Sequence, residues 1–377
     1  MKHTISGLII VILIRAGAIF WSSQLAAQGP MPRPRSTNDA VPNRELAVKS
    51  RTSVKSPILS ESFRPDTLRP LAMVFGDSTH FDRITSIFES SQHIVITDSR
   101  TSPHVFVFDR KSAKLLKTMG PTGEGPGEIM HPDNVVEDEQ NQNVIWVYDF
   151  NQRRFVGLDV RGTRTFRPLT LSLPLGGSLL QPMIRKGRVI SNGLFPDYSL
   201  IFLNERGEPI GKGNLGLPFS APEVESVVGR RLLNVSSMSF SPKSRSKIVL
   251  AYQFKSELDF LDLTTGRHIA VTGPRQTKAS FRFANNRFFW NDDNQHAYRS
   301  VTADENSVYA LFSGHKDDDK RAYTSRVHVF DWNGRFLKEH AFDRLVGTIT
   351  VSSSGTQLYA SVEDPWPSVV VYQLPPP

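Results

Sequence analysis

The most informative pattern in the chain is a short apolar strand that recurs six times. The copies are rich in β-branched or aromatic residues and have the length of a β-strand, and most follow polar or turn-forming residues. They are HIVITD (93–98), NVIWVYD (143–149), RVIS (188–191), KIVLAY (247–252), SVYALF (307–312) and QLYASV (357–362). Their spacing of about 45–60 residues indicates a structural repeat.

A second apolar strand follows most of these copies and ends in Asp or Asn, a short turn and then a glycine. Asp and Asn bond their own downstream backbone in such turns, and glycine adopts the left-handed conformation. The strands are VFVFDRKSAKLL (105–116), FVGLDVRG (155–162), LIFLNERGEPI (200–210), LDFLDLTTGRHI (258–269) and VHVFDWNGRFL (327–337). The turn positions are Asp109, Asp159, Asn204, Asp262, Asp331, Gly162, Gly207, Gly266 and Gly334.

Six units of this kind predict an all-β fold, a six-bladed β-propeller of four-stranded antiparallel blades. The last unit stops at SVVVYQL (368–374) without its outer strand. We expect the N-terminal segment LAMVF (71–75), or the stretch from Ile58 before it, to complete that blade and so remove an open sheet edge. The propeller is therefore predicted over residues 58–377.

The glycine-rich stretch GPTGEGPGEIMHP (120–132) allows two interpretations, a phosphate loop or a connection between blades. Pro126 and Gly127 replace the Lys and Ser/Thr of a phosphate-binding loop, and Glu128 replaces the third glycine of a dinucleotide motif. Pro126 also lacks the N–H group that an anion needs, and Glu124 and Glu128 add negative charge. We predict a connection between blades, with turns at Gly123, Gly125, Pro126 and Gly127.

The N-terminus has the pattern of a secretory signal peptide. Lys2 and His3 precede an apolar run (5–14) and the small residues of SSQLAAQ, which predicts a signal peptide over 1–27. Arg15 interrupts the apolar stretch and leaves an uncleaved anchor as the alternative. Residues 28–57 are rich in Pro, Ser, Thr and basic residues, and they predict a flexible basic linker.

Composition narrows the function classes further. The net charge is +8, and part of the excess lies in the predicted linker, where a solvated tail explains it. Export and the lack of a nucleic-acid motif argue against a nucleic-acid partner. The chain has no Cys, which excludes disulfides, thiolate ligands and a lipid-anchored cysteine. We expect a periplasmic or secreted protein that is not a lipoprotein.

Two regions carry a family resemblance. Residues 123–162, with a GxGPGE loop, a proline, a strand and an Asp/Asn/Arg turn, resemble an NHL-type propeller blade. Residues 298–316 and 328–343 are similar to the TolB-like six-bladed propeller family of bacterial envelope proteins. The resemblance extends over roughly 70–374 and implies the fold. Family members are often lipoproteins, a pattern from which this chain departs, and no catalytic residue is carried over.

Candidates for catalysis and metal binding are few. The histidines are scattered without metal-binding spacing, and no GxSxG motif or Cys nucleophile is present. HKDDDKR (315–321) and NDDN (291–294) are acidic, but neither has the alternating spacing of a calcium loop, so solvated loops are favoured. Asp292 and Asp293 remain candidates for a calcium ion.

The segment FRFANNRFFW (281–290) concentrates aromatic residues around a turn. It predicts either a platform for sugar rings or a partner chain, or a hairpin whose rings pack between blades. The packing interpretation is favoured. In the platform interpretation the binding residues are Arg287, Phe288, Phe289 and Trp290.

These observations favour a non-enzymatic, monomeric binding or scaffold module without a cofactor, with a protein or glycan partner at one face. The alternative is a metal-dependent hydrolase or lyase of the lactonase-like propeller type, with Ca²⁺ or another divalent ion in the channel. That hypothesis requires side chains from at least three blades to converge. Asp98 and Asp149, at the ends of predicted inner strands, are its first candidates.

Overall fold

β-Strands form nearly all of the regular structure. The computed structural model describes residues 44–45 and 50–375, except 61, 77–79, 163, 165, 174–176, 196, 220–223, 225, 243–245, 285–286 and 317–323. The predicted signal peptide (1–27), residues 28–43 of the predicted linker and the acidic residues 317–319 lie outside the described residues. Within the described part of the chain, no helix has the length and apolarity needed to cross a membrane.

Four N-terminal strands precede the first complete blade and join different sheets. They are β1 (Arg44–Glu45), β2 (Ser50–Lys55), β3 (Asp66–Thr67) and β4 (Arg69–Phe75). Blade 1 then contains β5 (Ile84–Glu89), β6 (His93–Asp98), β7 (Val105–Asp109) and β8 (Leu115–Met119). Blade 2 contains β9 (Pro132–Glu137), β10 (Val144–Asp149), β11 (Arg154–Asp159) and β12 (Leu169–Thr170).

The remaining blades follow in chain order, with two insertions between them. Blade 3 contains β13 (Met183–Arg185), β14 (Arg188–Asn192), β15 (Leu200–Leu203) and β16 (Pro209–Gly213), and the helix α1 (Val227–Leu233) follows. Blade 4 contains β17 (Ser236–Phe240), β18 (Lys247–Tyr252), β19 (Glu257–Asp262) and β20 (Arg267–Thr272), and a hairpin of β21 (Phe281–Ala284) and β22 (Arg287–Trp290) follows. Blade 5 contains β23 (Tyr298–Ala303), β24 (Ser307–Phe312), β25 (Thr324–Asp331) and β26 (Phe336–Val346), and blade 6 contains β27 (Ile349–Val351), β28 (Gln357–Val362) and β29 (Ser368–Gln373).

The N-terminal strand β4 closes the ring. It pairs antiparallel with β29 and supplies the outer strand of blade 6, which confirms the predicted role of residues 71–75. Phe75 at its end is fully buried. Its ring makes edge contacts with Phe108 of blade 1 and Tyr359 of blade 6, at 5.8 and 6.0 Å between centroids. The strand therefore joins the first and last blades through its core as well as its backbone.

The strands before β4 extend three blades at their outer edges. β1, β2 and β3 pair in parallel with β16, β20 and β26 as fifth strands of blades 3, 4 and 5. β2 lies within the predicted linker, so the prediction of a flexible segment over 28–57 is wrong for residues 50–55. The sequence SRTSVK shows little sign of a strand, because pairing at an edge uses backbone groups. Among its described side chains, Val54 is the one that packs against a core.

The six recurring apolar segments are strands, but they occupy the second position of each blade, as β6, β10, β14, β18, β24 and β28. The assignment of Asp98 and Asp149 to the ends of inner strands is therefore wrong. In blades 1, 2, 4 and 5 the first strand carries polar side chains at the channel. That polarity hides these strands from a search for apolar runs.

The predicted turns have the expected hydrogen bonds. The side-chain oxygens of Asp109, Asp159, Asn204, Asp262 and Asp331 accept backbone N–H groups two to four residues downstream, at 2.8–3.3 Å. Gly207, Gly266 and Gly334 have φ between 71° and 78°, whereas Gly162 is not left-handed. The stretch 120–132 connects β8 to β9, where Glu128 accepts the N–H of Gly125 at 2.7 Å.

Candidate functional site

A cavity of about 400 Å³ occupies one end of the central channel. It lies where the first strands of the blades begin and the second strands end. All six blades contribute to its lining, and Leu232 of α1 and Trp290 of the hairpin reach it as well. Both insertions therefore lie at this end of the channel. A concave site built from loops of every blade is the leading candidate for ligand binding in a propeller.

β-Bulges place three side chains in the cavity lining. The first strands of blades 1, 2 and 5 each shift register against the second strand near their start, between Ile84 and Ser86, between Pro132 and Asn134, and between Tyr298 and Ser300. A bulge leaves one residue unpaired and changes the direction of its side chain. The bulged residues are Thr85, Asp133 and Arg299, and all three line the cavity.

Neutral polar residues of the other blades complete the lining and bind the neighbouring blade. Gln181 of blade 3 accepts the backbone N–H of Met238 in blade 4. Ser237 of blade 4 accepts the N–H of Val301 in blade 5 at 2.9 Å. Thr348 of blade 6 lies 3.2 Å from the hydroxyl of Ser300 in blade 5. These hydrogen bonds fix the spacing of the blades around the cavity.

Asp133 differs from these residues because its carboxyl group makes no hydrogen bond or ion pair within the described part of the chain. Burial raises the pKa of Asp133 to about 7. The neighbouring His131 has a lowered pKa, chiefly because it is buried, although Asp149 opposes the effect. At neutral pH the imidazole is therefore uncharged and Asp133 is close to half protonated.

Three arginines, Arg83, Arg100 and Arg299, line the cavity, with Glu363 as the other acidic residue there. Burial lowers the pKa of Arg83, and the nearby charge of Arg100 lowers it further. Burial raises the pKa of Glu363, against the opposite effect of the two arginines of blade 1. Arg100 also lies 3.6 Å from Asp82, which is outside the cavity lining. The lining carries more cationic than anionic groups.

The hairpin and α1 form a cap beside the cavity. The cap consists of residues 227–233, 281–284 and 287–290. Trp290 stacks on Phe254 of blade 4 with 4.1 Å between ring centroids, and both line the cavity. Phe283 packs against Gly229 of α1, where an added Cβ would lie 2.5 Å from its ring. Phe283 and Phe289 remain 41% and 38% exposed, and Val227 and Val228 are exposed on α1.

The rings of the hairpin are partly packed and partly exposed, and the binding role of the exposed ones stays a prediction. Phe281, Phe288 and Trp290 pack against one another and against the propeller. Phe289 is open to solvent, and the guanidinium of Arg282 lies 5.4 Å from its ring centroid. The side chain of Arg287 lies outside the described residues. Sequence reasoning found this hairpin but not its position beside the cavity.

The two leading metal candidates have structural partners instead. The carboxylate of Asp98 accepts the N–H groups of Asp82, Arg83, Arg100 and Thr101 at 2.5–3.1 Å. Asp149 accepts those of Met130, His131 and Gln152 at 2.8–3.3 Å. Each carboxylate fastens the loop before the first strand to the loop after the second. Asn192 takes the equivalent place in blade 3, and Tyr252, Phe312 and Val362 end the second strands of blades 4–6.

Asp292 and Asp293 lie at the base of the hairpin and are exposed. A hydrogen bond with Ser280 lowers the pKa of Asp293, and Lys278 lies 3.9 Å from its carboxylate. Among the described residues, no three His, Asp or Glu side chains are grouped so that they could hold a metal ion. The convergence from three blades that the metal-dependent alternative requires is thus not found in this part of the chain.

Sequence reasoning missed a buried hydrogen-bonded network in blade 5. Glu339 accepts a hydrogen bond from His328 at 2.9 Å and a bidentate pair from Arg275 at 2.6 and 2.9 Å. Burial alone would raise the pKa of Glu339, but these bonds outweigh it and lower the pKa to about 2. Burial lowers the pKa of His328, so its Nδ1 is unprotonated and accepts the hydroxyl of Tyr298 at 3.0 Å. Tyr298 reaches the cavity, so this network supports its wall.

Comparison with known proteins agrees with the architecture. A family model described as TolB-like 6-blade propeller-like matches residues 76–354. A search of curated proteins finds no match. The chain is similar in structure to a predicted exported protein from Bacteroides fragilis, with a TM-score of 0.56 and 11% identity over 87% of this chain and 100% of that one. It is also similar to a DUF4221-family member from Bacteroides vulgatus, with a TM-score of 0.55 and 13% identity over 82% and 98% of the two chains. At these identities the structural likeness concerns the fold alone.

Proposed function

Since the chain belongs to the TolB-like six-blade propeller-like family, we propose that it is an exported, non-enzymatic binding module that holds a protein or glycan partner at the capped end of its channel. The predicted signal peptide supports export, and family membership supports a role in the envelope. No catalytic or metal role is assigned to any described residue.

One observation carries this proposal. Exposed apolar side chains of the cap, Phe283, Phe289, Val227 and Val228, stand next to a cavity lined by all six blades. Both cap elements are insertions between blades, and neither is needed to complete a sheet. Exposed aromatic residues beside a concave polar site are typical of binding surfaces.

The basic residues near the cap add to this surface. Lys255 lies over the ring of Phe219 at 5.6 Å, and Arg282 lies over Phe289. Arg282 offers both an apolar stem and a charged end to a partner, whereas the ammonium group of Lys255 already lies 3.0 Å from the carboxylate of Glu257. Arg282 and the exposed rings favour a partner that presents aromatic, sugar or acidic groups.

The test compares two double variants in binding to protein and polysaccharide fractions of the native envelope. Phe283→Ser with Phe289→Ser removes the exposed rings of the cap. The control is Leu116→Ser with Leu337→Ser, which removes leucines that are 53% and 40% exposed on the outer strands of blades 1 and 5. We expect at least a tenfold loss of binding for the cap variant only. Equal binding by both variants, with unchanged melting temperatures, would refute the use of this face.

A further inference from the structure

The cavity has opposite charges at equivalent places on opposite blades. Asp133 of blade 2 and Arg299 of blade 5 are both bulge residues near the start of a first strand. The first strands pack together between blades 1 and 2, 4 and 5, 5 and 6, and 6 and 1. In a ring of six, blades 2 and 5 lie opposite one another. The bulges therefore present a carboxyl group and a guanidinium group from opposite sides of one cavity.

At or beside their first strands, the remaining four blades contribute neutral polar residues, and the charged residues Arg83, Arg100 and Glu363 lie in the adjoining loops. Gln181, Ser237 and Thr348 bind groups of neighbouring blades, as described above, and Thr85 lies 2.9 Å from the hydroxyl of Thr97 in its own blade. These contacts account for the neutral residues as structural parts of the ring. Asp133 has no contact of this kind among the described residues, so its charge is not explained by the spacing of the blades.

The chemistry of the lining restricts what could bind. Arg299, together with Arg83 and Arg100, provides guanidinium groups, which bind carboxylates through paired N–H donors. Asp133 makes no side-chain hydrogen bond in the described part of the chain and can accept from or donate to a hydroxyl group. The stacked Phe254–Trp290 pair supplies a flat apolar wall. A volume of about 400 Å³ lies in the range of small-molecule sites.

We infer that this cavity binds a sugar acid, with its carboxylate on Arg299, its hydroxyl groups on Asp133 and the polar ring, and its apolar face towards Trp290. The inference rests on the proposed function, because it names the ligand class of the cavity beneath the cap. The sugar acid is either a free monosaccharide or the end unit of an acidic glycan. Both sources share the carboxylate and adjacent hydroxyl groups.

The experiment measures the Kd of the full chain for D-glucuronate by calorimetry, with D-glucose and the methyl ester of glucuronate as neutral controls. We expect binding of glucuronate at least tenfold tighter than that of either control. Arg299→Gln should weaken glucuronate binding at least tenfold and bring it to the level of glucose. The exposed Arg335→Gln in blade 5 removes the same charge outside the cavity and should bind as the wild type does.

Arg299→Lys keeps the charge without the paired donors and should give an intermediate affinity. If Arg299→Gln fails to fold, Arg299→Lys takes its place as the test variant. A glucuronate-terminated disaccharide that binds more tightly than the monosaccharide would identify the glycan source, and equal binding would identify the free sugar acid. Equal affinities for glucuronate and glucose, or wild-type affinity in a folded Arg299 variant, would overturn the inference.

The outcome separates this inference from the proposed function. The cap variant Phe283→Ser with Phe289→Ser leaves the bulge residues in place, so it should still bind glucuronate. If that variant loses the envelope partner while no form of the protein binds glucuronate, the proposed function holds and the inference fails. If glucuronate binds but neither cap residue affects the envelope partner, the cap is not the docking face and the inference stands on its own.

Discussion

Asp133 and Arg299 occupy equivalent bulges on opposite blades, and both line the same end of the central channel. The strands that carry them pair regularly beyond the bulge, so the irregularity is confined to the position that turns towards the cavity. Bulges that redirect one side chain next to a binding site are common in β-proteins. The pair places a carboxyl group and a guanidinium group on opposite sides of the channel, and the stability of the protein should depend on pH through Asp133.

The first prediction concerns the stability of the protein at different pH values. Because burial raises the pKa of Asp133 from 3.8 to about 7, the folded protein holds this proton more tightly than the unfolded chain does. The resulting stability is present in full below pH 3.8 and is lost as the pH rises through 7. The full shift corresponds to about 4 kcal/mol, of which somewhat more than half, about 2–3 kcal/mol, should be lost between pH 5 and 9.

Melting temperatures between pH 5 and 9 test this effect. Asp133→Asn cannot ionise, so its stability relative to the wild type should increase from pH 5 to about pH 8 and stay constant above that. The exposed Asp292→Asn is the matched control and should follow the wild type throughout. A constant difference between Asp133→Asn and the wild type over this range would show that Asp133 does not titrate near pH 7.

The second prediction separates a structural role for Asp98 from metal binding. Its two carboxylate oxygens each accept two backbone N–H groups. Asp98→Asn keeps one carbonyl oxygen, so it can accept only one of these two pairs. We expect a loss of about 2–3 kcal/mol. The cost should be the same in EDTA and in calcium, zinc or manganese. As a control, Asp109→Asn should cost much less, because its turn uses one oxygen, which asparagine keeps.

The contrary result is equally clear. If a divalent ion raised the melting temperature of the wild type, and EDTA reversed the shift, a metal would bind the folded protein. If Asp98→Asn also abolished that shift, Asp98 would be a ligand and the metal-dependent hypothesis would regain its first residue. A shift that persists in Asp98→Asn would place the ion elsewhere in the chain.

The sequence was sufficient to predict the architecture because the second and third strands of each blade repeat the same apolar pattern. The apolar, β-branched and aromatic residues of HIVITD and VFVFD, for example, are sufficient by themselves to predict strands. The incomplete last blade predicts the closing strand. The pairing of that strand with β29 puts Phe75 in the core. The β2 strand was missed because its pairing with blade 4 depends on backbone groups rather than on an apolar pattern.

The site could not be predicted in the same way. Asp133 and Arg299 are far apart in sequence and have no shared motif, and only the ring brings them to one cavity. Each also lies in a first strand whose polar positions hide it from a search for apolar runs. Asp98 and Asp149 end conspicuous strands, which makes them metal candidates in the sequence, yet that position is where a carboxylate fastens two loops. The feature that identifies Asp133 and Arg299 is a register shift between two paired strands. This shift can be recognised only when the pairing of the strands is known.

The third prediction concerns acid stability through the buried network of Glu339. Its pKa in the folded protein is about 2, below the value of 4.5 for an unperturbed glutamate. The resulting stability is present above pH 4.5 and is lost as the pH falls through 2. The wild type should therefore lose about 3 kcal/mol from this group between pH 5 and 2.

Glu339→Gln should cost about 3 kcal/mol at pH 7, because it leaves the guanidinium of Arg275 without its paired carboxylate. Its unfolding free energy should also fall less steeply in acid than that of the wild type. Glu205→Gln on the exposed turn of blade 3 should change neither property. Parallel acid dependence in Glu339→Gln and the wild type would show that other carboxyl groups control acid unfolding.

The last prediction tests closure of the ring by β4. Phe75 and Val74 are neighbours on this strand, but Phe75 is fully buried between blades 1 and 6 and Val74 is 45% exposed. Phe75→Ala would leave a cavity where the first and last blades meet, so we expect a loss of about 3–5 kcal/mol in urea unfolding. Val74→Ala removes a side chain from the solvent-facing side and should cost less than about 0.5 kcal/mol. Similar small losses for both variants would mean that β4 contributes little to closing the ring, whereas a large loss confined to Phe75→Ala would show that an N-terminal strand holds the last blade against the first.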